Sequence, residues 1–195
     1  MSLPSALPPS TLLPFDELSE GVLDQRRVIG VRSDRVLSRQ RGRELVVDRI
    51  LVPDFVNVVA LTENAGRESL VLVRQWRFGQ RGLSVALPGG LVDEGESHRA
   101  AGLRELLEET GYAAIHAEDV VELGYSHPNP ALMGNVCAHL LVPRAQRVAD
   151  PCLDPNEELE VLHLDLASLD DTLLRHEITD ALALAALLRF RLHCT

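Results

Sequence analysis

Four short runs rich in valine, isoleucine and leucine crowd the first 76 positions before any helical period begins. VIGV (28–31), ELVVDRILV (44–52), FVNVVALT (55–62) and SLVLVRQW (69–76) have the length and β-branched content of strands. Such strands must find partners in a sheet. Gly42 and the stretch ENAG (63–66) supply turns between them. VVELGY (120–125), NVCAHLLV (135–142) and LEVLHLDL (159–166) are further expected strands. Helical spacing is predicted over 97–110, 166–175 and 179–192, with Thr179 as the expected N-cap of the last. Strands therefore dominate early, with helices in the middle and at the end. That order predicts an α+β fold, a mixed sheet flanked by helices.

Composition limits the function classes. A length of 195 residues suits one domain, or one domain with a small appendage. No apolar run reaches the length needed to cross a bilayer, so no membrane association is expected. The opening MSLPSALPPSTLLPF lacks a basic leader and is interrupted by prolines, which predicts a loose arm rather than a signal peptide. Cys137, Cys152 and Cys194 are odd in number and widely spaced, so neither a disulfide framework nor a zinc site is expected, and a reducing cytoplasm is the expected location. A net charge of −10 argues against a nucleic-acid partner, because phosphate backbones require a basic footprint. A phosphorylated small molecule is still compatible with an acidic protein if a divalent cation lies between the two sets of anions.

The 97–110 helix concentrates the chemistry. At 100° per residue, Ala100, Leu103, Leu106 and Leu107 gather on one side and Glu105, Glu108 and Glu109 on the other. Ser97 is the expected N-cap and Gly111 the expected residue after the C-cap. Burial of the apolar side needs no carboxylates. The acids have no lysine partners at i+4, and Arg104 is the only cation near them. Glu96, just ahead of the helix, is placed to reach Arg104. A Pro88-Gly89-Gly90 turn precedes it and can bring backbone carbonyls close. Carboxylates at i, i+3 and i+4 beside a bent backbone suit an oxygen cage for Mg²⁺ or Mn²⁺, while a plain solvated acidic face is the competing reading.

The spacing Gly90, five residues, Glu96, seven residues, then Arg104-Glu105-Leu106-Leu107-Glu108-Glu109-Thr110-Gly111-Tyr112 resembles the Nudix box, GX5EX7REUXEEXGU, at every specified position. The resemblance implies a Nudix fold, an α/β/α sandwich around a mixed sheet, with a short N-terminal β segment. It implies Glu105, Glu108, Glu109 and the Gly89 carbonyl as metal ligands, Glu108 and Glu109 in catalysis, and Glu96–Arg104 as a structural salt bridge. The implied reaction is metal-dependent hydrolysis of a nucleoside diphosphate linked to another moiety.

Flanking segments resemble the ADP-ribose pyrophosphatase branch. VRQWRFG (73–79) resembles its strand-end segment, with Arg77 expected on phosphate or ribose and Trp76 stacking on a base; a core tryptophan and a surface arginine are the plain alternatives. Pro128, in SHPNPALMGN, falls sixteen residues past the box, where that branch tends to carry a proline bordering the substrate. DPNEELEV (154–161) resembles the acidic loop that supplies an extra carboxylate, so Glu157 is the expected general base or added ligand, with Glu158 second. The branch also implies a homodimer. The expected organisation is a flexible arm over 1–20, a small β segment with a dimerising role over 21–53, and a Nudix hydrolase domain over 54–195. The expected substrate is ADP-ribose, giving AMP and ribose 5-phosphate. The alternatives are hydrolysis of another nucleotide sugar or nucleotide cofactor, or a non-catalytic ADP-ribose sensor.

Overall fold

A computed structural model describes residues 7, 10–155 and 157–194. The chain divides into two compact units, one reaching to Val52 and including Ala131–Gly134, the other formed by Pro53–Pro130 and the residues from Asn135 onward.

The first unit is a small antiparallel sheet. Strand β1 (Phe15–Ser19), β2 (Asp24–Gln25), β3 (Gly30–Ser38) and β4 (Arg43–Leu51) are joined through β3. β4 runs along one side of β3 over its whole length, and β1 and β2 share the other side. Ordered strand structure thus begins inside the stretch expected to be a loose arm. The VIGV run marks only the start of β3, whose remainder, RSDRVLS, is too charged to announce a strand. The reason is Asp34, fully buried in the middle of it. Its carboxylate accepts from the Gly21 N–H (2.9 Å) and pairs with Arg32 (3.1 Å) and Arg49 (3.3 Å). The Gly21 amide, more than either arginine, holds its carboxyl below the usual range. The polar residue is inside because it closes a network, not because it is apolar.

The second unit is built on a mixed seven-stranded sheet: β5 (Phe55–Asn64), β6 (Arg67–Arg77), β7 (Gly82–Ala86), β8 (Gly89–Leu91), β10 (Val121–Ser126), β11 (Cys137–Val142) and β13 (Leu159–Asp165). β11 and β5 are parallel and the other pairings antiparallel. A separate ribbon joins β9 (Tyr112–Ala114) to β12 (Ala145–Arg147). The helices are α1 (His98–Thr110), the short α2 (Leu169–Leu174) and α3 (Ala181–His193).

Two cores lie on opposite faces of this sheet. Ala101 and Leu106 of α1 pack on Val56, Val58, Val71 and Leu140. Leu169, Ala183, Ala186, Leu187 and Phe190 of α2 and α3 pack on Val59, Leu61, Leu70 and Leu141. Alternation along β5 sends Val56 and Val58 to one face and Val59 and Leu61 to the other. The unit is therefore an α/β/α sandwich.

Two local expectations are corrected. The N-cap of α3 is Asp180, which accepts from the Ala183 N–H at 2.8 Å, and not Thr179. The buried line of α1 is Ala101, Gly102, Leu106, Glu109 and Thr110, while Ala100 is exposed and Leu107 is 39% exposed. Gly102 explains the rotation of the face. A Cβ there would stand 2.5 Å from Leu140 Cδ1 and 3.0 Å from Val56 Cγ2, so the helix sits closest to the sheet along that line. Ser97 caps the start through Ala100 N (3.2 Å), and Gly111 ends the helix in the left-handed conformation.

Candidate active site

A cavity of about 650 Å³ opens at one end of the second unit. Its walls come from the start of β5 (Phe55, Val56, Asn57), the end of β6 (Gln75, Arg77), the Gly89–Gly90 start of β8 and the carboxylate side of α1. Glu105, Glu108, Glu109 and Arg104 face it from the helix, and Asp154, Glu157 and Asp180 from later segments.

Arg104 is the hub of the helix side. It holds Glu96 through two parallel bonds, Nε to Oε1 (3.1 Å) and Nη2 to Oε2 (3.0 Å). Nη2 also donates to the Leu91 carbonyl (3.1 Å). Nη1 donates to Glu105 Oε1 (2.9 Å) and to Glu108 Oε2 (3.0 Å). A fork bound on both sides is fixed in direction as well as in charge. The bond from Arg104 keeps the Glu96 carboxyl below its usual range, and the carboxylates around it raise the Arg104 guanidinium further. Burial raises Glu105, against the pull of Arg104.

Glu109 differs from its neighbours. Only 5% exposed, it has one hydrogen bond, from the Gly89 N–H to Oε2 at 2.8 Å. Burial pushes its carboxyl up to about 8, with the nearby charges of Glu105 and Glu157 adding to the rise. The expectation that all three acids project away from the core does not hold for this one. It lies on the buried line because that line is centred on Gly102 and Leu106, and Glu109 is seven residues beyond Gly102. Gly89 can approach so closely because it is glycine: a Cβ there would stand 2.0 Å from the Val56 carbonyl oxygen.

The donors are hard oxygens sharing one cavity, the chemistry that Mg²⁺ or Mn²⁺ takes. Among the described residues, no three His, Cys, Asp or Glu side chains stand at the spacing of a ready-made cage. Two of them do converge. Glu105 and Glu108 each give one oxygen to the same Arg104 nitrogen, at 2.9 and 3.0 Å, so the two carboxylates are held side by side on the cavity wall. Three carboxylates, Glu105, Glu108 and Glu109, on the wall of one cavity fit such an ion in their donor chemistry.

The remaining expected residues separate into two groups. Arg77 and Glu157 line the cavity. Glu157 sits in a loop turn, its N–H bonded to the Asp154 carbonyl at 2.9 Å. Trp76 and Pro128 are not among the lining residues. Alternation along β6 places Trp76 on the face opposite Gln75 and Arg77, where it pairs with Leu83 and is 51% exposed. Gln75, Asn57, Asp154 and Asp180 line the cavity without having been singled out in the sequence. Asp180 carries a signal, since an acid before an apolar helical run is an N-cap, but nothing local tells that the helix starts beside the carboxylates.

Comparison with known proteins agrees with this architecture. The model of the NUDIX domain matches residues 53–186, more than half of the chain. A nudix hydrolase of Caenorhabditis elegans is 33% identical over 122 residues, 60% of this chain and 53% of that protein. An ADP-ribose pyrophosphatase of Saccharomyces cerevisiae is 30% identical over 112 residues, 55% of this chain and 48% of that protein. The chain thus spans about half the length of these two curated relatives. A crystal structure of an ADP compounds hydrolase superposes with a TM-score of 0.77, covering 94% of this chain and 95% of that one at 22% identity, and so shares the fold. With the family model lying over the sandwich, and the helix of three glutamates and its Arg104 hub set at the mouth of one cavity, the chain belongs to the Nudix family.

Proposed function

We propose that the protein is a metal-dependent pyrophosphohydrolase of nucleoside diphosphate derivatives, with ADP-ribose as the substrate and AMP and ribose 5-phosphate as products. The observation that carries this reading is the placing of Glu105, Glu108, Glu109, Glu157 and Arg77 around one cavity. Glu105, Glu108, Glu109 and the Gly89 carbonyl would hold Mg²⁺ or Mn²⁺, which when bound masks the pyrophosphate charge and acidifies water. Arg77, at the end of β6, contributes a guanidinium for a phosphate oxygen. Glu157 accepts the proton of the attacking water. The water oxygen bonds to one phosphorus, and the bond from that phosphorus to the bridging oxygen breaks. A carboxylate on a loop suits this role, because it can close on the water once substrate is in place. Arg104 and Glu96 take no part in the transfer and fix the direction of Glu105 and Glu108.

ADP-ribose is favoured by the name of the yeast relative and by the VRQWRFG resemblance, of which Arg77 lines the cavity. Hydrolysis of another nucleotide sugar or nucleotide cofactor uses the same carboxylates. A homodimer formed through the first unit belongs to the same reading. β4 pairs only with β3 over Arg43–Arg49, among the described residues, and Phe15, Leu18 and Val46 are exposed. A cytoplasmic location accords with the cysteine usage; no described helix is long and apolar enough to cross a membrane.

A panel of nucleoside diphosphate derivatives incubated with Mg²⁺ tests the proposal. ADP-ribose is expected among the best substrates. Its place among the poorest would shift the assignment to another derivative, and binding of ADP-ribose with no turnover of any member would replace the enzyme with a sensor.

A further inference from the structure

Asp54, the residue immediately before β5, gathers three segments at one point. Its backbone carbonyl accepts from Val92 N (2.9 Å). Its Oδ2 lies 2.9 Å from His98 Nε2, and its Oδ1 accepts from Val136 N at 2.9 Å. The first two contacts bracket one stretch of chain. Val92 is where the chain leaves β8, and His98 is where it enters α1. Both ends of the 92–98 loop are therefore fastened to a single residue.

That loop carries Glu96. Its carboxylate is the one held by the doubled bond from Arg104, whose remaining amino group orients Glu105 and Glu108. Leu91, next to the fastened Val92, supplies the carbonyl that takes a further Arg104 bond. The line of contacts thus runs from Asp54 to the loop, from the loop to the guanidinium, and from the guanidinium to two carboxylates. We infer that Asp54 is a positioning residue for the carboxylate site, acting with His98 to set the loop that bears Glu96 and, through it, Arg104, Glu105 and Glu108. This rests on the metal-ligand reading proposed above. The Oδ1 bond to Val136 is a tie of a different kind, to the start of β11, and by itself contributes only stability.

The test is Mn²⁺ affinity by titration calorimetry on the full chain, with amide exchange over residues 92–98 measured beside it. His98 is a half-exposed side chain, so His98→Ala removes the helix-side contact without opening the core. His98→Gln keeps a donor for Oδ2, and Asp54→Asn keeps a partner for both Val136 and His98. Partners behind metal ligands alter affinity by roughly ten- to a hundredfold; here Asp54→Ala and His98→Ala, which remove the same Oδ2–Nε2 contact and leave the Val92 bond to the Asp54 backbone carbonyl, are each expected to weaken Mn²⁺ binding about tenfold, with both conservative variants within about twofold of wild type. Exchange of the 92–98 amides should quicken in the two alanine variants. Wild-type affinity in His98→Ala and Asp54→Ala, whatever their melting temperatures, overturns the inference and leaves Asp54 as a structural tie. Should Asp54→Ala fail to fold, the His98→Ala and His98→Gln pair decides alone. A wild-type protein that takes up no Mn²⁺ would instead overturn the metal reading, an outcome visible before any variant is made.

Discussion

A buried carboxylate persists in a fold if it is neutral, paired with a cation or richly hydrogen-bonded, and Glu109 has one bond, from Gly89 N. Its charged form is held at a cost that a cation at the site would offset. Glu109→Gln removes the charge and keeps an oxygen for the Gly89 amide. This variant should retain or gain thermal stability while kcat falls by about a hundredfold or more, the scale of losing a group that stabilises transition-state charge. A melting curve beside steady-state rates checks both halves, and near-normal kcat would remove Glu109 from the metal set. Glu157 belongs to the other class of acid, on the loop between β12 and β13 and not on a helix. Glu157→Gln should leave Mn²⁺ binding and substrate binding nearly intact while kcat drops, since a base acts only on the attacking water. Full kcat in that variant would direct the search to Glu158.

At the scale of elements, β11 carries a buried titratable ring that the reaction does not use. His139 of β11 is fully buried, sharing a 2.9 Å hydrogen bond between Nε2 and Ser126 Oγ. Burial, with Arg189 of α3 adding to it, lowers its pKa from 6.5 to about 4. The neutral ring is the folded form, so its contribution to stability is complete above pH 6.5. As pH falls from 6.5 towards 4 the unfolded chain takes up the proton first, and stability is lost at up to about 1.4 kcal/mol per pH unit. Urea midpoints at pH 7 and pH 4.5 should show this fall, and His139→Asn should flatten it; an equal slope in the variant would assign the loss to other groups.

The elements also show what a sequence can and cannot carry. β5, β6 and β11 of the sandwich announce themselves because both their faces are buried and the runs are apolar. β3 does not, because its central acid is buried with arginines drawn from two strands, a pattern no local window contains. The box residues were legible through their spacing. The burial of Glu109 was not, since it depends on how far Gly102 lets α1 sink against Leu140 and Val56. Trp76 had two readings, a base platform or a core residue, and alternation along β6 places it on the face opposite Gln75 and Arg77, away from the cavity they line.

For the whole molecule, the exposed face of the first unit bears on assembly. The first unit exposes Val46 at 70%, Phe15 at 53% and Leu18 at 43%, apolar surface that pairing with a second copy would cover. A dimer is expected by light scattering at micromolar concentration, and Val46→Asp should shift it to the monomer; a wild-type monomer contradicts the assembly. The glutamates of α1 are expected to turn over a nucleoside diphosphate derivative only with a divalent cation. Product analysis with ADP-ribose tests it most directly, comparing wild type and Glu108→Gln with Mg²⁺ and wild type with a chelator. AMP and ribose 5-phosphate are expected from wild type with Mg²⁺, none with the chelator, and a rate lower by about a hundredfold or more in the variant. Equal product release in all three conditions would contradict it.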